Sequence, residues 1–177
     1  MDFQSSRTYA NLQIAYEDAL RANAKYGLFS KKANQDVLME ISFIFNTASR
    51  NEQFVAERLR NILNGGTPTT LQNLGESSNY ELEESSLYRD FARIANEEGY
   101  TDIASLFSGI ANIKLNHNYT FQTLITEIQN NELFCKPNET LWVCLGCGNI
   151  LSGLCAPDIC PICGYPQGYY ELYRPLR

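Results

Sequence analysis

Cys144-Leu145-Gly146-Cys147-Gly148 and Cys160-Pro161-Ile162-Cys163-Gly164 are two copies of one short pattern, with twelve residues between Cys147 and Cys160. A CxxC loop turns both of its sulfurs towards one point. Glycine after the second Cys permits the tight turn that exposes backbone N–H groups to sulfur. Two such loops make a tetrathiolate site with Cys144, Cys147, Cys160 and Cys163 as its ligands. Iron in that site would bring one-electron chemistry, and zinc would make it a structural knuckle. These residue types do not separate the two metals. A disulfide framework is the competing reading of the six Cys. The CxxC spacing, and an N-terminus (Met1-Asp2-Phe3-Gln4) without an apolar leader, favour a metal in a reducing, cytoplasmic setting.

Around the knuckles the composition is distinctive. Residues 135–177 hold all six Cys, five of the six Pro and the only Trp, Trp142. So short a segment builds little core, and a metal must supply much of its folding energy. Its boundary falls near Leu133–Asn138, dividing the chain into domains 1–133 and 134–177. Cys135 and Cys155 lie outside the two loops and read as ordinary small residues. The whole chain carries a net charge of −6 over 177 residues. An acidic chain without a basic stripe excludes nucleic acid as a partner, and no apolar run is long enough to span a membrane.

Upstream of residue 131 the pattern is helical. Apolar stripes at three/four spacing run through Leu12, Ala15, Ala19, Ala22 and Tyr26, and through Leu38, Ile41, Phe45, Ala48, Glu52, Val55, Leu59 and Ile62. A third holds Tyr80, Glu83, Leu87, Phe91 and Ile94. The fourth holds Ile103, Phe107, Ile110, Lys114, His117, Phe121, Leu124 and Ile128. Gly65-Gly66 stops the second helix, and a polar loop over 64–77 leads to Ser78 and Glu81 as a capping box for the third. The halves repeat: Tyr26, Phe29, Ala33, Asn34, Ile41 and Phe45 return as Tyr88, Phe91, Ala95, Asn96, Ile103 and Phe107, at a constant offset of 62. A duplicated helical hairpin predicts an antiparallel four-helix bundle, with Glu52 equivalent to Lys114 and Val55 to His117.

Charged residues on interior stripes need partners or metal. Bundles build di-iron sites from Glu and Glu-x-x-His on facing helices, and this chain holds only fragments of that pattern: Glu52 without a His at Val55, and His117 without a Glu at Lys114. Together with the run from Trp142 to Gln167 and that from Phe91 to Tyr100, these fragments make the chain resemble the rubrerythrins. The resemblance implies a ferritin-like four-helix bundle followed by a rubredoxin-like domain. It implies peroxide reduction at a di-iron site supplied with electrons by an iron–tetrathiolate centre, and a dimer.

Carried over position by position, the resemblance places the di-iron ligands on Ala19, Glu52, Val55, Tyr80, Glu83, Lys114 and His117. Only Glu52, Glu83 and His117 can still ligate; a slip of one residue would bring Glu81 to the Tyr80 position. Lys114 would then stand where a metal would, paired with Glu52 and Glu83 and with Tyr80 as a hydrogen-bond donor. The three remnants form a satisfied polar network, a mononuclear site of two carboxylates and one His, or a working di-iron oxidase; a peroxide reductase with a rearranged site is a further alternative for the function. The expected function is one-electron transfer through an iron–tetrathiolate centre, related to oxidative stress, with the di-iron site lost. Expected partners are a second copy of the chain and a redox protein, a complete rubrerythrin included. A structural interaction module, with zinc on the four cysteines, is the alternative from another class.

Overall fold

A computed structural model describes residues 2–175. The protein is mainly α: it has the four long helices that the periodicity predicts and a small three-stranded C-terminal sheet. The helices are α1 (Arg7–Gln35), α2 (Met39–Leu63), α3 (Thr70–Glu97) and α4 (Thr101–Gln129). The strands are β1 (Cys135–Cys144), β2 (Ile150–Cys155) and β3 (Tyr170–Leu172). Its contacts divide the chain into two compact units, Met1–Thr69 and Thr70–Arg177. Among the described residues, no helix is long and apolar enough to cross a membrane.

Each helix ends in the same way. The N–H of Leu38 reaches back to the Ala33 carbonyl and that of Val37 to Asn34; Tyr100 and Gly99 repeat this on Ala95 and Asn96. Gly66 and Gly65 close α2 on Asn61 and Ile62, and Glu132 and Asn131 close α4 on Glu127 and Ile128. This pair of bonds satisfies terminal carbonyls but needs a left-handed residue at its corner. Gly65 and Gly99 adopt that conformation freely, at φ 66° and 86°, whereas Val37 and Asn131 are held in it at 61° and 59°. The two hairpin turns are thus equivalent positions of the repeat, with Val37 standing where the second copy has Gly99.

The first unit is a hairpin of α1 and α2 along a seam of small residues. Ala19, Ala33, Ser42 and Ala56 are buried there. The Asn23 side chain donates to the Ser49 carbonyl at 2.8 Å, and Ser42 donates to the Ser30 carbonyl at 3.0 Å. Small side chains let two helix backbones approach closely, and the larger ones are displaced to the flanks. The predicted stripes therefore match the seams only in part: Ala19 is buried there, whereas Ile41 and Val55 are exposed in this hairpin, as are Leu87, Ile94 and Ile103 in the second. The duplicated aromatic residues do cluster twice, with Phe29–Phe45 ring centroids 5.5 Å apart and Phe91–Phe107 5.6 Å apart.

In the second unit α3 starts at Thr70, and the predicted loop over 64–77 shrinks to the residues around Pro68. Ser78 is consequently no N-cap. It is fully buried in mid-helix, and its hydroxyl accepts from Asn118 at 2.9 Å and Gln122 at 2.7 Å, both on α4. The capping-box pattern misleads here because a Ser followed three residues later by Glu can equally face a neighbouring helix. After α4, Lys136 on β1 pairs with Glu127 of that helix. The sheet is antiparallel in the order β2-β1-β3. Its core is Trp142, Cys144, Ala156, Cys160 and Tyr170, flanked by Phe134, Leu151 and Leu172.

Candidate metal centre

The first CxxC loop leaves the end of β1, and the second precedes the turn into β3. Both close alike: the Gly148 N–H donates to the Cys144 carbonyl at 2.8 Å and the Gly164 N–H to the Cys160 carbonyl at 3.0 Å. Gly148 and Gly164 take φ of 77° and 74°, a conformation other residues rarely adopt. The loops are also packed from outside. A Cβ at Gly146 would lie 1.9 Å from the Tyr165 ring, which stacks on Tyr169 with centroids 4.4 Å apart.

These loops bring the four sulfurs of Cys144, Cys147, Cys160 and Cys163 within 4.8 Å of one another. Cys144 and Cys163 are 3.6 Å apart, and Cys147 and Cys160 3.7 Å. A tetrahedron with metal–sulfur bonds of about 2.3 Å has edges of about 3.8 Å. The donor set fits one tetrahedral ion. Cys144 and Cys160 are buried, Cys147 and Cys163 exposed.

The electrostatics of the thiols point the same way. The nearby buried Tyr170 hydroxyl draws the Cys160 thiol down to about 6 against the effect of burial. At Cys163 the Tyr165 N–H favours the thiolate, but burial and the crowding of three other sulfurs outweigh it and push the thiol up to about 12. The Asn149 N–H likewise favours the thiolate of Cys147, yet burial and neighbouring sulfurs leave that thiol raised. Four thiolates this close repel one another, and a cation at their centre removes the repulsion.

The helical candidates are placed differently from expectation. In the second unit the carboxylate that meets Lys114 is Glu81, whereas Glu83 is exposed. Lys114 Nζ lies 3.3 Å from Glu81 Oε2 and donates to Oε1 at 3.5 Å; His117 Nδ1 is 3.5 Å from the same Oε1. Tyr80 serves Lys114 by its ring face, 5.1 Å from Nζ, and not by the expected hydrogen bond. The helical register explains the exchange, since Ser78, Glu81 and Ser85 share the α3 face that meets α4, and Glu83 is turned away from it. The offset of 62 already pairs Glu81 with Ala19, so the repeat held a signal that the stripe reading missed. In the first unit Ala19 is buried, Glu52 half-buried and Val55 exposed.

A further difference concerns Cys135 and Cys155. They are not the ordinary small residues that their positions suggest: they face each other across β1 and β2 and are joined by a disulfide. Each alone looks unremarkable in the sequence; only strand register brings them together.

Two helical hairpins followed by a three-stranded sheet with a tetrathiolate pocket define a class of protein: a helical protein with a rubredoxin-like metal domain. Residues 142–171 match the family description "Rubrerythrin, rubredoxin-like domain", and residues 72–144 match "Rubrerythrin". Rubrerythrin-1 of Clostridium acetobutylicum is 32% identical over 96% of this chain and 95% of its own. Rubrerythrin of Clostridium perfringens is 33% identical over 97% and 96%, and that of Nitratidesulfovibrio vulgaris 31% identical over 96% and 95%. A solved structure of nigerythrin covers 95% of this chain and 87% of its own at 23% identity, with a TM-score of 0.35. The chain belongs to the rubrerythrin family.

Proposed function

We propose that this chain is a one-electron carrier: iron held by Cys144, Cys147, Cys160 and Cys163, with the di-iron chemistry of its relatives lost from the helices. The observation that carries the reading is the sulfur cluster, half in the core and half at the surface. Iron bound to four thiolates supplies a ferric/ferrous couple with unchanged ligands. The chain's own part is to fix the four sulfurs before and after transfer. Backbone N–H groups of Asn149, Ile162, Cys163 and Tyr165 aim at them and favour negative charge. The exposed residues Cys147 and Cys163 bring the centre near the surface, within reach of a partner.

Loss of the di-iron site is supported by the residues present. Ala19 and Val55 offer no donor atom, and the Lys114 ammonium lies against Glu81 beside His117. A fixed cation there opposes entry of a divalent ion. The peroxide reduction of the family would then be supplied by another protein, a complete rubrerythrin pairing with this chain in the cytoplasm. On this reading residues 1–133 provide the pairing surface, in a homodimer or mixed dimer, and 134–177 carry the electron. Zinc fits the same sulfur spacing, and a zinc-filled interaction module is the second reading.

The test is metal content by element on protein made anaerobically with iron in excess. One iron per chain, red and bleached by reductant, is expected. Colourless protein with one zinc would overturn electron transfer. Close to three irons would overturn the loss of the di-iron site.

A further inference from the structure

We infer that Cys135 and Cys155 form a second redox centre, a two-electron dithiol/disulfide pair that exchanges with external dithiols independently of the metal thiols. Three observations carry this. The pair is bonded, and its sulfurs belong to no metal cluster among the described residues. Cys155 is exposed, whereas Cys135 is half-buried. Exposed disulfides are the exchangeable ones, because a thiolate can approach along the S–S axis.

The third observation is that the sheet does not need the bond. From Cys135↔Cys155 to Thr140↔Gly153, β1 advances five residues while β2 advances two, so residues 136–139 bulge out and the disulfide stands beyond the bulge. The continuous ladder runs from Thr140↔Gly153 to Val143↔Ile150. It is reinforced by the Trp142 indole N–H donating to the Gly153 carbonyl at 3.1 Å and by the four-sulfur site beyond. Next to the disulfide the Ala156 N–H still donates to the Phe134 carbonyl at 2.8 Å, which keeps the two sulfurs close after reduction. Opening and closing the bond therefore requires no unfolding.

The thiolate of an external dithiol attacks Cys155 Sγ, forming a mixed disulfide and breaking the Cys135–Cys155 bond. Cys135 leaves as a thiolate and takes up a proton. The second thiol of the donor attacks its own sulfur in the mixed disulfide, releasing Cys155 as a thiol. The protein gains two electrons and two protons, and the donor is left as a disulfide. A disulfide oxidant runs the sequence backwards.

The test uses the full chain loaded with zinc, which masks the four metal thiols, equilibrated in reduced/oxidised glutathione mixtures, alkylated and weighed intact. Two alkylations per chain should appear as the proportion of reduced glutathione rises, with zinc content unchanged. No alkylation at any ratio, alkylation only with loss of zinc, or two free thiols even in the most oxidising mixture would each overturn the proposal. Two variants then assign the attacked sulfur. With oxidised glutathione, Cys135→Ser should trap an adduct at Cys155, and Cys155→Ser should trap one at Cys135 about tenfold more slowly. Equal rates would remove Cys155 as the entry point.

Discussion

A carboxylate at position 114 would stand beside Glu81 and His117; the Lys114 ammonium is there instead, 3.3 Å from Glu81 Oε2. Replacing it tests whether that cation bears on metal binding by the helices. Lys114→Glu should let the helical part take up a divalent ion such as Fe(II), raising metal per chain above one; an unchanged count would show that the other missing donors decide. Lys114→Ala should instead leave the mostly buried Glu81 without its cation and cost about 1–2 kcal/mol, read from chemical denaturation. At the sulfurs, the shifted thiols set a pH dependence. Cys160, at about 6, is mostly thiolate at neutral pH, while Cys147 and Cys163 are raised and protonated. Metal uptake at pH 7 should then release fewer than four protons but more than one, and zinc affinity should rise as pH increases from 6 to 9. Competition with a chelator of known pH behaviour measures both. Cys144, Cys147, Cys160 and Cys163 are readable from spacing alone because loop ligands lie close in sequence. Glu81 is not, because the helical face it occupies is set by its neighbour helix.

Among the elements, the helix ends and hairpin seams carry the stability arguments. Val37 sits at φ 61° where the second repeat has Gly99 at 86°, and a β-branched side chain is strained there. Val37→Gly should stabilise the protein by about 1 kcal/mol, seen as a higher Tm; Gly99→Val should do the reverse. On the seam, Ser78 allows close approach of α3 and α4 and accepts from Asn118 and Gln122. Ser78→Ala should cost about 1–2 kcal/mol through loss of the Gln122 bond and one of the two from Asn118, and Ser78→Leu more through overpacking, both measurable by denaturant unfolding. The helices and their 62-residue repeat are legible because periodicity and turn residues are local. The seams are not, because apolar stripes need not face the nearest partner. Close helix approach instead selects Ala and Ser there, and a Ser in a sequence carries no sign of burial.

For the whole molecule, the metal is expected to hold the C-terminal part together. Its core is only Trp142, Tyr170 and Ala156 with two of the cysteines, so removing the ion removes much of what orders it. Trp142 is the only Trp and is fully buried, which makes its fluorescence a reporter of this part alone. Stripping the metal with acid and chelator should red-shift that emission while the helical ellipticity persists; a joint loss of both would contradict independent support for the helices. By itself, the sequence determined the four long helices, their duplication, the tetrathiolate ligand set and the family, because each rests on spacings of a few residues or on extended local similarity. Only the tertiary structure decided that Glu81 and not Glu83 meets Lys114, that small residues line the hairpin seams, and that Cys135 is bonded to Cys155. Those outcomes depend on helical register and on strand pairing across twenty residues or more, where packing geometry decides between patterns that local sequence leaves equal.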